Sequence, residues 1–196
     1  MIRTMEKKLE EIQMKPLGES ALTVQFGTEI SPFINKKVKA LALKLQQEPF
    51  SGFIECTPAF ASVTVFFDPF IVKQAYGEKE KSSFQIVRAI LEQALEALVE
   101  DEESAPRIVE IPVCYGGDFG PDLEFVAAHN QLSVDEVIHL HASARYPVYM
   151  IGFAPGFPYL GGLSEKINAP RRPSPRMSIP AGSVGIAGSQ TGVYPI

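Results

Sequence analysis

Three arginines near the carboxyl end are the residues best suited to bind a charged ligand. Arg171, Arg172 and Arg176 lie in the run 170–176 (PRRPSPR), where prolines flank them. A guanidinium group donates several hydrogen bonds in one plane, which suits a carboxylate or a phosphate. From residue 146 onward the chain has four basic residues and one acidic residue, although its net charge is −5. Taken alone, this loop is interpreted as a solvated turn with surface ion pairs.

Aromatic side chains gather shortly before the arginines. Phe153, Phe157 and Tyr159 belong to the run 152–162 (GFAPGFPYLGG), which also contains Pro155. Eight of the 16 prolines and eight of the 15 glycines lie between residues 146 and 195. We therefore predict short extended pieces joined by rigid turns, with no long helix. The aromatic residues then line either the edge of a β-domain core or a binding cleft, and both interpretations stay open.

The run 179–188 (IPAGSVGIAG) predicts a strand with one bulky face and one nearly bare face. Val184 and Ile186 alternate there with small residues, and a bare face lets a ligand or another backbone approach. The glycines form neither a phosphate-binding P-loop, because no Gly-Lys-Ser/Thr follows, nor a dinucleotide fingerprint, because no helix follows. The predicted cleft is extended to three residues of this run: Pro180, Gly182 and Ser183.

Other candidate residues favour structural roles, and no catalytic residue is identified. His139 and His141 are two apart, so they do not share a helix face, and no nearby acid or cysteine completes a zinc spacing. We predict no metal site. Cys114 is interpreted as a buried structural thiol and Asp68 as a turn residue. A spacing at 123–137 similar to that of a helix-turn-helix is discounted, because its second helix offers no Lys or Arg to phosphates.

The composition is that of a soluble globular protein. The 196 residues, 45% hydrophobic and 21% charged, suffice for one large or two small domains. We find neither an apolar run of membrane-spanning length nor the apolar core of a signal peptide. Two cysteines make no disulfide framework, so we expect a cytoplasmic protein. The acidic balance argues against nucleic-acid binding.

Hydrophobic periodicity predicts an α/β domain upstream of these runs. The pattern indicates two helices, at about 31–47 and 82–100, and four strands, at 21–26, 52–58, 61–67 and 107–114. Their order is that of the split βαβ, or ferredoxin-like, arrangement. We predict a leader at 1–13, a ferredoxin-like domain at 14–114 and a second domain at 115–196. The second domain begins with two short helices, and a capping box from Ser133 to Glu136 opens the later one.

The runs 152–162, 170–176 and 179–188, in this order, resemble the KipI/PxpB family. That family includes the B subunit of 5-oxoprolinase, the first subunit of allophanate hydrolase and the sporulation kinase inhibitor KipI. Weaker likeness at 16–22 (PLGESAL) and 111–123 (IPVCYGGDFGPDL) extends the resemblance over most of the chain from about residue 14. The resemblance implies an α+β protein in which the second domain, 115–196, is a cyclophilin-like β-barrel.

One departure from the family concerns the end of that barrel. Family barrels usually continue beyond the equivalent of Tyr194 and Pro195 through a Gly-rich segment that often contains Trp. This chain stops at Ile196 and contains no tryptophan. We therefore expect either a truncated barrel or one that closes differently. A missing strand would expose a sheet edge, so we expect the isolated chain to be prone to aggregation or dependent on a partner.

The resemblance also implies two functions. The favoured one is a non-autonomous subunit of a bacterial ATP-dependent 5-oxoprolinase, a hydrolase that opens 5-oxoproline to glutamate. Its partners would be a homologous barrel protein, of the 5-oxoprolinase C-subunit or KipA type, and a LamB-type subunit, which would share or contain the ATP site. Arg171, Arg172 and Arg176 would hold a carboxylate or a phosphorylated intermediate beside the aromatic cleft. The alternative is a KipI-type inhibitor of sporulation histidine kinase autophosphorylation, whose partner is a sensor kinase.

Overall fold

The computed structural model describes residues 12–77, 80–98 and 107–196. The chain divides into two compact units, Met1–Ser104 and Ala105–Ile196. Each unit combines helices with a four-stranded antiparallel sheet, which confirms the predicted α+β class. The predicted leader lies almost wholly outside the described residues, although its last residue, Gln13, begins a strand.

The sheet of the amino-terminal unit contains the strands β1 (Gln13–Pro16), β2 (Ala21–Gln25), β3 (Phe53–Pro58) and β4 (Ser62–Phe67). Their order is β1-β2-β4-β3, so β4 lies between the two strands that the first helix connects. This is the split βαβ arrangement. Along β4, Val63, Val65 and Phe67 are buried and alternate with half-exposed residues, as the period of two requires when one face is covered.

Three helices cover that face: α1 (Pro32–Gln47), α2 (Pro69–Tyr76) and α3 (Ser83–Glu96). Helix α1 begins with the predicted proline in its first turn. A capping box between Ser82 and Gln85 begins α3. The core combines apolar stripes of the helices with the buried residues of β2 and β4; its largest fully buried side chains include Phe67, Leu22, Leu41, Leu45 and Leu91.

Three sequence predictions in this part of the chain are wrong. The sequence predicts a fourth strand at 107–114, but these residues form no strand, and β1 occupies the position beside β2. Cys114, expected to be buried, is exposed. Asp68 caps a helix rather than a simple turn, since its Oδ1 accepts hydrogen bonds from the backbone N–H groups of Phe70 and Ile71. The periodicity missed that helix, α2, because it spans only eight residues.

The carboxyl-terminal unit begins with the helices α4 (Leu123–His129) and α5 (Val134–Ala142), the latter opened by the predicted capping box. Four short strands follow: β5 (Val148–Ile151), β6 (Pro158–Leu160), β7 (Val184–Ala187) and β8 (Gln190–Val193). They form an antiparallel sheet in the order β5-β6-β8-β7. Over the described residues β5 and β7 are its free edges, so the sheet does not close into the expected barrel.

Candidate functional site

Phe157 lies at the centre of an aromatic cluster that consists of Phe153, Phe157, Tyr159 and Tyr194. Its ring centroid is 5.4 Å from that of Phe153, 5.3 Å from that of Tyr159 and 5.3 Å from that of Tyr194. All three contacts are edge-to-face, the arrangement that aromatic quadrupoles favour. Gly192 leaves space for the ring of Phe157, because a Cβ at residue 192 would lie 2.8 Å from Cζ of that ring.

A tight turn displays Phe153 at one end of the cluster. Gly152 donates its N–H to the carbonyl of Phe157 at 3.1 Å, and Phe157 donates to the carbonyl of Ala154 at 3.0 Å. Inside this turn Phe153 adopts a φ of +67°, a conformation that costs energy for a bulky residue. Phe153 is 79% exposed, and Pro155 beside it is exposed as well. The turn therefore presents an aromatic ring and a proline to solvent.

The turn at 180–183 is joined to the same cluster through the backbone of Tyr194. Gly182, at a φ of +84°, donates its N–H to the carbonyl of Tyr194 at 2.6 Å, and Tyr194 donates back to that of Ser183 at 2.9 Å. The hydroxyl of Ser183 donates to the carbonyl of Pro180 at 2.6 Å. The predicted residues Pro180, Gly182 and Ser183 are thus brought to the aromatic cluster by a tyrosine that was not predicted.

Two of the three predicted arginines meet at a carboxylate that sequence reasoning missed. Arg176 donates from Nη1 to Oδ2 of Asp122 at 2.5 Å and from Nη2 to Oδ1 at 2.8 Å, and Arg172 also donates to Oδ1. The hydrogen bond from Arg176 is the main cause that lowers the pKa of Asp122, while partial burial opposes it. Asp122 in turn raises the pKa of Arg176. Arg171 is exposed and makes no ion pair within the described ranges.

His141, considered in the sequence only as a metal ligand, is the centre of a buried hydrogen-bond network. The hydroxyl of Thr191 donates to the carbonyl of Gly185 at 3.1 Å, so it accepts the N–H of His141 Nε2 at 3.0 Å. Nδ1 is then unprotonated and accepts the hydroxyl of Tyr115 at 2.6 Å. Burial lowers the pKa of His141, which favours this neutral form.

Tyr146 completes the network by donating its hydroxyl to the backbone carbonyl of His141 at 2.8 Å. Burial, with a smaller contribution from Tyr115, raises the pKa of Tyr146 to about 12. Both ring nitrogens of His141 are therefore used inside the protein. The network ties the end of α5 to β8, and a structural role accounts for its contacts.

Two cavities in the described part of the chain are lined by none of the predicted cleft residues. One, of about 320 Å³, is lined by residues that include Gly18, Phe67 and Ser82, and the other, of about 390 Å³, by residues that include Leu132, Glu136 and His139. Over the described residues, no group of three or more His, Cys, Asp or Glu side chains could hold a metal ion. None of the helices described here is both long and apolar enough to cross a bilayer.

The chain matches the family described as carboxyltransferase domain, subdomain C and D, over residues 12–196. It is 56% identical over 184 residues to the B subunit of 5-oxoprolinase from Bacillus subtilis strain 168, covering 94% of this chain and 77% of that protein. It is 39% identical over 180 residues to the B subunit of 5-oxoprolinase from Escherichia coli O157:H7, covering 92% and 77%. The resemblance predicted from the sequence runs is thus confirmed.

Among solved structures, the crystal structure of TTHA0988 is similar in sequence and in fold. The TM-score is 0.74 and the sequence identity is 34%. The match covers 90% of this chain and 32% of TTHA0988, so this chain spans about a third of that protein. The similarity supports the two antiparallel sheets described above.

Proposed function

This chain belongs to the family of carboxyltransferase domains, subdomain C and D, and we propose that it acts as the B subunit of a bacterial ATP-dependent 5-oxoprolinase. The observation that carries the proposal is the 56% identity to the Bacillus subtilis protein of that name over 94% of this chain. In this reaction the ring amide of 5-oxoproline is hydrolysed to glutamate, and hydrolysis of ATP to ADP and phosphate drives the opening.

The chemistry belongs to an assembled enzyme in this proposal. The partners are a homologous barrel protein, of the 5-oxoprolinase C-subunit or KipA type, and a LamB-type subunit, and ATP binds at a site that these partners share or contain. Both relatives are named as one subunit of 5-oxoprolinase, which supports a multi-subunit enzyme. The proposed cytoplasmic location agrees with the use of intracellular ATP.

The proposed contribution of this chain is recognition rather than bond breaking. Arg171, Arg172 and Arg176 supply guanidinium groups to a carboxylate or a phosphorylated intermediate. The aromatic cluster, with Pro155 and the turn at 180–183, supplies a rigid surface for the substrate or a partner subunit. Aromatic and proline groups on a fixed turn lose little conformational entropy on binding, which makes them good anchors.

Reconstitution tests the proposal. The chain is co-expressed with a barrel protein of the 5-oxoprolinase C-subunit or KipA type and with a LamB-type protein, and glutamate formation from 5-oxoproline is measured with and without ATP. We expect glutamate only when all three proteins and ATP are present. Arg176→Ala should lower the rate, whereas Lys166→Ala, which removes a cation elsewhere in the same unit, should not. Full activity without this chain would contradict the proposal.

The same preparation tests the KipI-type alternative, which stays a prediction. Purified chain is added to a sensor histidine kinase at a stoichiometric ratio, and autophosphorylation is followed with labelled ATP. Under the 5-oxoprolinase proposal, autophosphorylation is unchanged. Suppression of autophosphorylation, together with no glutamate in the reconstituted system, would favour the inhibitor instead.

A further inference from the structure

A single carboxylate ties the arginine segment to the rest of the carboxyl-terminal unit. Residues 170–179 are all exposed, and in the described part of the chain none of them makes a backbone–backbone hydrogen bond. Their hydrogen bonds are those from Arg172 and Arg176 to Asp122. Prolines stiffen the segment internally but do not attach it to its surroundings. Release of Asp122 would therefore free the two arginines to move together.

The carboxylate of Asp122 accepts hydrogen bonds from the two arginines as the oxygens of a bound anion would. Both nitrogens of the Arg176 fork are engaged by its two oxygens, and Arg172 adds a third hydrogen bond. Asp122 occupies the N-cap position of α4, yet its side chain makes no cap hydrogen bond there. Its carboxylate is thus committed to the arginines, and another anion can take the Arg176 fork only when Asp122 leaves it.

We propose that Arg172 and Arg176 form a binding site for a dianionic phosphate group, and that Asp122 is a built-in occupant which this group displaces. The inference rests on the anion-binding role proposed above for these arginines, but not on the identity of the substrate. The side chains of Asp122, Arg172 and Arg176 are 35%, 55% and 41% exposed, and ion pairs in such positions are weak enough to be exchanged.

Charge explains why a phosphate is favoured over a carboxylate. Two guanidinium groups carry two positive charges, and Asp122 neutralises one of them. A free monocarboxylate offers the same group as Asp122 and must compete with a carboxylate that is tethered nearby at high effective concentration. A phosphate near neutral pH brings a second negative charge and a third oxygen, so it can satisfy both guanidinium groups.

Titration of the full chain with inorganic phosphate at constant ionic strength tests this site. The Nε–Hε resonances of Arg172 and Arg176, followed by NMR, should shift in a saturable way. Asp122→Asn should bind phosphate about tenfold tighter than the unsubstituted chain, because the exposed competitor has lost its charge. Asp118→Asn, the same charge change in a nearby exposed residue, should keep the original affinity. 5-Oxoproline, a monocarboxylate, should bind the unsubstituted chain at least about tenfold more weakly than phosphate does.

Each other outcome overturns the inference. Equal affinity of Asp122→Asn and Asp118→Asn would mean that Asp122 does not compete, and weaker binding by Asp122→Asn would mean that it supports the anion. Tight binding that survives Arg172→Gln and Arg176→Gln in the Asp122→Asn background would place the anion elsewhere.

A second measurement needs no substitution. The ¹³C carboxyl resonance of Asp122 in the unsubstituted chain is followed at about pH 7.5, where phosphate is mostly dianionic. Saturating phosphate should shift this resonance along a binding curve, because Asp122 loses its hydrogen bonds from the two arginines. An unchanged resonance would contradict displacement. ATP in place of phosphate distinguishes a nucleotide from free phosphate as the source of the group. Reconstituted 5-oxoprolinase activity is assayed separately, so failure of this inference and failure of the proposed function are distinguishable.

Discussion

The two units of this chain are stabilised in different ways. Among the described residues of the amino-terminal unit, 14 buried apolar residues form a core, and all but Phe26 belong to its three helices or to β2 and β4. Among its described residues one polar side chain, that of Asn35, is buried. In the described part of the carboxyl-terminal unit, residues 107–196, six buried apolar residues form a core, and His141 and Thr191, which hydrogen-bond to each other, are buried as well. The first unit relies on apolar burial and the second on directional contacts.

This difference determines which kinds of change each unit should tolerate. Apolar burial is non-directional and roughly proportional to area, so the cost of a substitution follows the volume that is removed. Hydrogen bonds, ion pairs and ring contacts depend on distance and angle, so the cost follows geometry. The predictions below test that contrast, from the largest expected effect to the smallest.

Phe67→Ala should have the largest effect, because the side chain is only 1% exposed and belongs to the main core. We expect a loss of about 3–5 kcal/mol in the free energy of unfolding of the amino-terminal unit, measured by hydrogen exchange of the β4 amides. Phe70→Ala is the matched control, since that residue is 74% exposed, and should change stability by less than about 0.5 kcal/mol. Similar losses of stability for both variants would contradict the view that buried apolar volume stabilises this unit.

Gly192→Ala and Gly185→Ala each add a Cβ, at two directly paired positions of β8 and β7. A Cβ at Gly192 would lie 2.8 Å from the Phe157 ring, whereas one at Gly185 would meet Tyr194 at an ordinary 3.7 Å. We expect Gly192→Ala to lose about 1–3 kcal/mol and to weaken the near-ultraviolet circular dichroism of the aromatic cluster. Gly185→Ala should be nearly neutral. Equal effects would show that the cluster does not depend on this close fit.

The stability of the carboxyl-terminal unit should decrease as the pH falls below about 6.5. Burial lowers the pKa of His141 from the ordinary 6.5. Between that value and the lower folded-state pKa, the unfolded chain binds more protons, so the free energy of unfolding decreases with decreasing pH. His141→Gln should flatten this dependence in denaturant titrations between pH 7.5 and about 5. His129→Gln, at an exposed helix end, should retain the pH dependence of the unsubstituted chain. Loss of the pH dependence in this variant would contradict its assignment to His141.

Phe153→Asn should have the smallest effect despite the size of the ring that it removes. The loss of the edge-to-face contact with Phe157 costs about 0.5–1.5 kcal/mol. Asparagine adopts a φ of +67° more readily than phenylalanine, which recovers about 1 kcal/mol of strain. The net change in thermal stability should stay within about 1 kcal/mol. A loss above about 2 kcal/mol would mean that the exposed ring holds the turn together.

The parts of the fold that were predicted correctly have a simple local cause. Helix α1 and the strands β2 and β4 have one buried face each, so their apolar residues recur at the helical or strand period. The failures lie where that cause is absent. The residues at 107–114 are rich in apolar side chains, but none of them is buried and they pair with no strand. Strand β1 is a four-residue edge strand with mostly exposed side chains.

For the candidate site, residue types were predictable and partners were not. The aromatic residues of 152–162 were expected together because they are close in the chain, and their rings do contact one another. Asp122 lies 50 and 54 residues from the two arginines that it binds, and no local pattern indicates it. Tyr194 was likewise missed, because a pairing between distant turns brings it to Phe157.

By itself the sequence determined the periodic helices and strands, the proline- and glycine-rich turns, the positive charge near the carboxyl end and the family resemblance. Each of these depends on the residue types and their spacing along the chain. Only the tertiary structure decided that Asp122 faces Arg172 and Arg176, and that His141 donates a hydrogen bond to Thr191. The physical reason is that hydrogen bonds and ion pairs act over a few ångströms, and only folding brings residues 50 positions apart to such distances.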